Sequence, residues 1–262
     1  MPVTRSLPVT GISRLRNIGA TLIMLVALGG CGDETPAKRP KEVKLGTPET
    51  TVPSHKSSTE RNESTSADVA SRVIRPPIDS WPIPFGTARR RETAQYAERH
   101  YGRATDQLAP KLVVEHYSVT STAKAVFNTF ARDVPDVELH ELPGVCSHFV
   151  IDRDGRIFQL VPLSLICRHT VGLNDVAIGI EHVGNSDPEV MDNPNQLEAS
   201  LRLSAWLRCR YGITIGNVIG HAESLSSPYH HEKVPSLQRQ THSDFQPDTM
   251  MSYREQLRGL RC

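Results

Sequence analysis

The sequence predicts an α/β fold: a single domain with a central mixed β-sheet flanked by helices, preceded by a signal peptide and a disordered tether. Three observations carry this reading. From Lys111 onward, apolar runs of strand length alternate with segments of helical periodicity. A hairpin signal at Asp152-Arg153-Asp154-Gly155 makes one strand pair antiparallel. The stretch from about Ile78 to Cys262 has a size common for one domain and shows no internal repeat.

The first segment in chain order serves export rather than the fold. Arg5, Arg14 and Arg16 precede an apolar run from Ile18 to Leu28, which Gly29-Gly30-Cys31 follows. A membrane-spanning helix needs about 20 apolar residues, so this shorter run reads as the core of a signal peptide over residues 1–30. Leu28-Gly29-Gly30-Cys31 resembles a bacterial lipobox, which implies cleavage before Cys31 and attachment of diacylglycerol to its sulfur. Gly32, rather than aspartate, follows the cysteine, and the same resemblance then favours the outer membrane of a Gram-negative cell, facing the periplasm. From Gly32 the chain is rich in Pro, Thr, Ser, Glu and Lys and almost free of large apolar residues. Residues 31–77 are therefore read as a lipidated cysteine and a disordered linker.

Within the domain at 78–262, Lys111–Tyr117 is an apolar strand candidate, and Ala123–Arg132 carries Val126, Phe127 and Phe130 at helical spacing. His148–Ile151 and Arg156–Val161 are expected to pair across the turn, where Gly155 can take a positive φ. Val176–Val183 reads as a further buried strand. Asn193-Pro194 opens a helix to about Tyr211, with proline in its first turn and Leu197, Leu201 and Leu207 directed inward. Asn217–Gly220 is a strand that delivers His221. Ala222–Thr249 is a long loop before a C-terminal helix of about ten residues, and loops of that length usually have a function or lack order.

Net charge is +1, and Arg89-Arg90-Arg91 is the one basic cluster, read as a solvated surface patch. Nucleic acid is excluded as a partner on that ground, and a monomer is expected. Of five cysteines, Cys31 belongs to the lipobox, leaving Cys146, Cys167, Cys209 and Cys262. Two disulfides are possible in an oxidising compartment; the three connectivities, and free thiols, all stay open.

The chemistry rests on histidines and one carboxylate. His116 and His221 each end an apolar strand, and two such strands can be neighbours in one sheet. A catalytic zinc site keeps three protein ligands and one open position, so a third donor must come from the long loop, where His242 and Asp244 are the candidates. His230 and His231 are in the same loop and read as surface residues or substrate contacts. Glu181 lies in Ile178-Gly179-Ile180-Glu181-His182, an otherwise apolar strand in which an unpaired carboxylate is costly to bury. Strand alternation sends Glu181 and His182 to opposite faces, so only one of them can share the metal's face. Beside the metal, Glu181 can take the proton of an attacking water.

The most specific pieces are Cys146–Val161, reading CSHFVIDRDGRIFQLV; Arg168-His169-Thr170; Asn174–Glu181, reading NDVAIGIE; and Ile219-Gly220-His221. With these, the region from about Ile78 to Met250 resembles the zinc-dependent N-acetylmuramoyl-L-alanine amidases of the type 2 amidase and peptidoglycan-recognition-protein group. The resemblance implies that group's fold, a Zn2+ cofactor, and hydrolysis of the amide between N-acetylmuramic acid and L-alanine in peptidoglycan or its fragments. It implies that His116 and His221 are zinc ligands and that Glu181 is the catalytic glutamate. It also puts His148, His169 and Asn174 in the substrate groove. Relatives in one branch carry a catalytic tyrosine where this chain has Ser147, which leaves the base role to Glu181 alone.

The departure from the family pattern lies after His221, where the usual Lys-x-Asp or Lys-x-Cys string is missing and Gln240-Thr241-His242-Ser243-Asp244 stands instead. Aligning the third ligand with His242, the preferred choice, puts Gln240 at the lysine position as a transition-state donor. Aligning it with Asp244 puts His242 there. Two other readings are weighed. A non-catalytic peptidoglycan-binding module on the same fold would need neither zinc nor Glu181. A zinc deaminase would match His221-Ala222-Glu223 but requires a downstream Pro-Cys-x-x-Cys that this chain does not contain.

Overall fold

Six strands form one sheet in the computed structural model, which describes residues 73–262. They are β1 (Asp79–Ser80), β2 (Leu112–Tyr117), β3 (Phe149–Ile151), β4 (Ile157–Gln159), β5 (Ala177–His182) and β6 (Val218–Gly220), in spatial order β1-β4-β3-β5-β2-β6. β3 and β4 are antiparallel; every other neighbouring pair is parallel, so the sheet is mixed as expected. The central strands β2 and β5 are buried almost throughout, which is why they read as continuous apolar runs rather than alternating ones. Signal peptide, Cys31 and almost all of the 31–77 linker lie outside the described residues. Among the described residues, no helix is long and apolar enough to cross a membrane.

Helices cover both faces: α1 (Thr87–Tyr101), α2 (Ala123–Phe130), α3 (Asp187–Met191), α4 (Pro194–Tyr211) and α5 (Pro247–Arg258). Leu203 and Leu207 of α4 and Tyr253 and Leu257 of α5 pack in one core cluster, while Val126 and Phe130 of α2 pack with Val150 in another. α4 starts where its sequence says it should: the Asn193 side chain accepts the Gln196 N–H, Pro194 fills the first helical position, and Gly212 ends the helix at φ 65°. The long segment after His221 is irregular apart from short 3-10 turns at His221–Ser226 and Pro235–Leu237.

α1 has no counterpart in the sequence reading, and its composition explains why. Its buried side is Arg89, Thr93, Tyr96, Ala97, His100 and Tyr101, so no apolar repeat marks it. This corrects the reading of Arg89-Arg90-Arg91 as a solvated patch. Arg89 is buried, and its guanidinium donates to the carbonyls of Phe130 at 2.8 Å and Gly144 at 2.8 Å, tying α1 to α2 and the loop beyond it. Both disulfides form, Cys146–Cys167 and Cys209–Cys262, with Cα atoms 5.6 and 5.3 Å apart. The first joins the start of the Cys146–Val161 segment to the residue before Arg168; the second ties the C-terminus to α4.

Candidate active site

The site sits at the C-terminal ends of β2, β5 and β6. His116 and Glu181 are register partners across β2 and β5, so their side chains share a face. Glu115 is paired with Gly220, which brings His221, the next residue after β6, beside His116; the two rings are 4.7 Å apart between centroids. Asp244 completes the group. One ligand atom from each of His116, His221 and Asp244 lies within 4.8 Å of the others, and all three residues are buried.

The hydrogen bonding around His116 tests whether this group suits a cation. His169 Nε2 faces the Ala177 carbonyl at 3.3 Å; a carbonyl only accepts, so that nitrogen carries the proton. Burial, and then the neighbouring imidazoles of His116 and His148, hold His169 well below its ordinary pKa. It is therefore neutral, with Nδ1 as acceptor. That Nδ1 is shared by the Thr170 hydroxyl at 2.9 Å and His116 Nε2 at 3.1 Å, while His116 Nδ1 faces Asp244 Oδ2 at 3.0 Å. Asp244 is ionised: although burial opposes its charge, His221 and then His116 keep its pKa well below the carboxylate range. Asp244 Oδ1 is also 3.3 Å from His221 Nδ1. Two buried imidazoles gathered on one ionised carboxylate are a donor set suited to zinc. The residues fit such an ion.

Glu181 differs from a structural glutamate. Burial pushes its pKa well above the usual carboxylate range, the charge of Asp244 pushes it further, and no hydrogen bond from the described residues offsets either. The space in front of the site is a small pocket of about 60 Å³, lined by Glu138, His169, Thr170, His221, Gln240 and His242 among others.

Several expected site residues are placed differently from the sequence reading. The donor group takes Asp244, the alternative, in place of His242, which is largely exposed with Nε2 3.1 Å from Glu138 Oε2. His242 still borders the site, its ring 4.8 Å from that of His221. Gln240 lies beside it, donating its amide N–H to Glu138 Oε1 at 3.1 Å. Gln240 also lines the pocket, and its amide reaches His242 Nε2 at 2.9 Å.

His148 is not in the groove. It is fully buried; Nε2 donates to the Leu165 carbonyl and Nδ1 accepts the Gly179 N–H, each at 3.0 Å, so both nitrogens are committed to the core. Asn174 reaches the pocket wall, but its side chain is likewise committed: Oδ1 accepts the N–H groups of His169 and Thr170, and Nδ2 donates to Tyr96 and Tyr101. It positions the loop that carries His169, and His169 in turn orients His116.

Arg168 and Glu138 were missed. The Arg168 guanidinium pairs with Asp136 and donates to the Pro143 carbonyl at 2.7 Å, holding the 136–143 loop that presents Glu138 to the pocket. Arg168 stands in a quoted segment, but no spacing could reveal that it braces a loop 25 residues upstream. Glu223, the glutamate of the deaminase-like string, is engaged by Arg254 and by the Gly220 N–H.

A family model described as N-acetylmuramoyl-L-alanine amidase matches residues 106–242. No curated protein matches. Among solved structures, the endolysin N-acetylmuramoyl-L-alanine amidase LysCS from Clostridium intestinale URNW is 19% identical with a TM-score of 0.47, over 71% of this chain and 98% of its own. A mutant endolysin from Bacillus subtilis is 18% identical, with a TM-score of 0.43, over 69% of this chain and 98% of its own. The E. coli amidase AmiD, in complex with the substrate anhydro-N-acetylmuramic acid-L-Ala-D-γ-Glu-L-Lys, is 24% identical with a TM-score of 0.35, over 44% of this chain and 49% of its own.

Proposed function

The chain belongs to the N-acetylmuramoyl-L-alanine amidase family, and from that premise we propose a zinc-dependent hydrolysis of the amide between N-acetylmuramic acid and L-alanine in peptidoglycan or its fragments. His116, His221 and Asp244 would hold the ion. The observation that carries this reading is that His116 Nδ1 and His221 Nδ1 lie 3.0 and 3.3 Å from the two oxygens of an ionised Asp244, with Glu181 in register beside His116. Zinc bound there would polarise the amide carbonyl and make water more acidic.

The protein's own groups do the rest. Glu181 takes the proton of the attacking water and delivers it to the departing amine of L-alanine. Gln240 Nε2 donates to His242 Nε2 at 2.9 Å, which leaves His242 Nδ1–H, at the pocket beside His221, to donate to the oxygen that gains negative charge. Gln240 helps hold Glu138 rather than acting on the substrate. His169 and Thr170, 3.1 and 3.4 Å from His116 Nε2, orient the ring so that Nδ1 faces Asp244.

Purified protein incubated with peptidoglycan, with and without a chelator, tests the reading by mass spectrometry of the products. New L-alanine amino termini that vanish on chelation are expected. Cleavage that survives zinc removal would overturn the metal dependence, and new reducing sugars would overturn the amide as the target. The alternative, a peptidoglycan-binding module without catalysis, is disfavoured by the complete donor set and by Glu181. The reading also carries an anchor: lipid on Cys31 would tether domain 78–262 through linker 31–77 to the outer membrane. Loss of radiolabelled palmitate incorporation in Cys31→Ser checks that part.

A further inference from the structure

The third donor is held in place by a residue that no motif marks. Asp244 lies just before the start of α5, in a segment with little regular structure of its own, and Phe245 after it has φ 53°, a left-handed conformation that a bulky residue adopts only under constraint. Asp187, at the first position of α3, supplies the constraint. Its Oδ1 accepts the Phe245 N–H at 2.8 Å and its Oδ2 accepts the Gln246 N–H at 2.7 Å. Asp187 is buried and stands 58 residues away in sequence from the turn it holds.

From the other side, the Asp244 carbonyl accepts the Ala222 N–H at 3.0 Å, next to His221. Gly220 makes this close approach possible, because a Cβ there would overlap the Phe245 carbonyl oxygen. α3 follows directly on β5, the strand that carries Glu181. The turn bearing Asp244 is thus pinned between the strand that delivers His221 and the segment that follows Glu181.

We propose that Asp187 is a positioning residue for the metal centre: its carboxylate grips the 245–246 backbone so that the Asp244 side chain points between the two imidazoles. This rests on the zinc reading above. The two hydrogen bonds are charge-assisted and buried, and they fix the chain on the C-terminal side of Asp244. Asparagine at 187 could accept one N–H but would turn its own N–H₂ toward the other, so the turn would lose its grip without a change in side-chain size.

The test is a zinc titration of the purified protein against a chromogenic chelator, well below the melting temperature. Asp187→Asn is expected to raise the zinc Kd about 10- to 100-fold, and excess zinc is expected to restore its amidase activity. Ser186→Ala is the control, since Ser186 caps α3 without touching the turn. It is expected to lower the melting temperature and leave zinc affinity unchanged. Wild-type affinity in Asp187→Asn, or an equal loss in Ser186→Ala, would overturn the proposal. Asp187→Glu keeps the charge at the helix start and displaces the carboxylate by one methylene. It carries the same expectation, so the test stands even if Asp187→Asn does not fold. If the wild-type protein binds no zinc, the zinc reading fails and this proposal falls with it; wild-type binding with an indifferent Asp187→Asn removes only the role of Asp187.

Discussion

The two central strands each carry a Glu-His dipeptide, Glu115-His116 in β2 and Glu181-His182 in β5, and their register sorts the four side chains onto two faces. His116 and Glu181 share the front; Glu115 and His182 share the back, 3.7 Å apart. All four are buried, yet the two faces have different surroundings. On the back, Glu115 Oε1 accepts from Ser204 at 2.6 Å and Tyr253 at 3.1 Å, while His182 meets Ser200 Oγ and donates Nδ1–H to the His116 carbonyl. Burial still lifts Glu115 to about 7, but those hydroxyls pull against it. On the front, no hydrogen bond offsets the burial of Glu181, and His221 Nε2 is buried without a partner among the described residues. Hydroxyls satisfy Glu115 Oε1 on the back, although its Oε2 has no hydrogen bond among the described residues, whereas the front gathers His116 and His221 on Asp244 beside a glutamate that no such hydroxyl meets.

Substitution can break that contrast, and the largest effect is expected on the front. Glu181→Gln should lower amidase turnover by about 10²- to 10⁴-fold with bound zinc retained. Glu115→Gln should leave turnover within a few-fold. Chromatography of the released peptides, with metal content measured in parallel, distinguishes the two; equal losses would erase the difference between the faces. Next in size, His242→Ala should lower kcat by about 10²- to 10³-fold and keep its zinc, as loss of one transition-state donor does. Asp244→Ala should lose the ion itself. Retention of zinc by Asp244→Ala together with its loss in His242→Ala would restore the ligand choice preferred from sequence.

The disulfides sharpen the comparison further, because Cys209 lies on α4, behind the back face, whereas Cys167 adjoins the Arg168–Thr170 loop at the front. Opening Cys209–Cys262 by serine substitution should cost about 4 kcal/mol of stability, and opening Cys146–Cys167 about 3 kcal/mol, on loop closure alone. Only the second should weaken zinc binding. Denaturant melts and a zinc titration on each variant read both quantities.

The smallest effect concerns a third histidine–carboxylate group, remote from both faces. His100 of α1 sits between Glu141 at 2.8 Å and Glu232 at 2.9 Å; burial disfavours its charge, but the two carboxylates outweigh that and hold its pKa above the ordinary value. A raised histidine stabilises the fold fully below the unfolded value of about 6.5, and the contribution is lost as pH rises through the folded value. Melting temperature should therefore fall over that window, and His100→Gln should flatten the slope. A slope unchanged in His100→Gln would show that other groups carry it.

Much of this was legible from local pattern. β2, β5 and α4 announce themselves through apolar run length and caps, and His116, Glu181 and His221 through their positions at strand ends. α1 was not legible, because its buried side is made of arginine, threonine, histidine and tyrosine, whose burial depends on partners far away in sequence. Choosing between His242 and Asp244 was beyond reach for a related reason. Two residues apart in an irregular segment, they differ only in which way the chain turns, and Asp187 and Gly220 decide that by meeting Phe245 from 58 and 25 residues away. His148 and Asn174 were assigned to a groove by resemblance; hydrogen bonds commit both His148 nitrogens to the core, whereas Asn174 reaches the pocket wall with its side chain holding the His169 loop.

By itself, then, the amino-acid order determined the alternation of strands and helices, the chemistry of a histidine pair with a buried glutamate, and a loop obliged to provide a further donor. Tertiary structure alone decided which of His242 and Asp244 joins the histidine pair, and which of two buried glutamates is left without hydroxyl partners. The physical reason is range. Periodicity and capping act within a few residues, whereas two imidazoles meet one carboxylate only after segments from three parts of the chain have docked together.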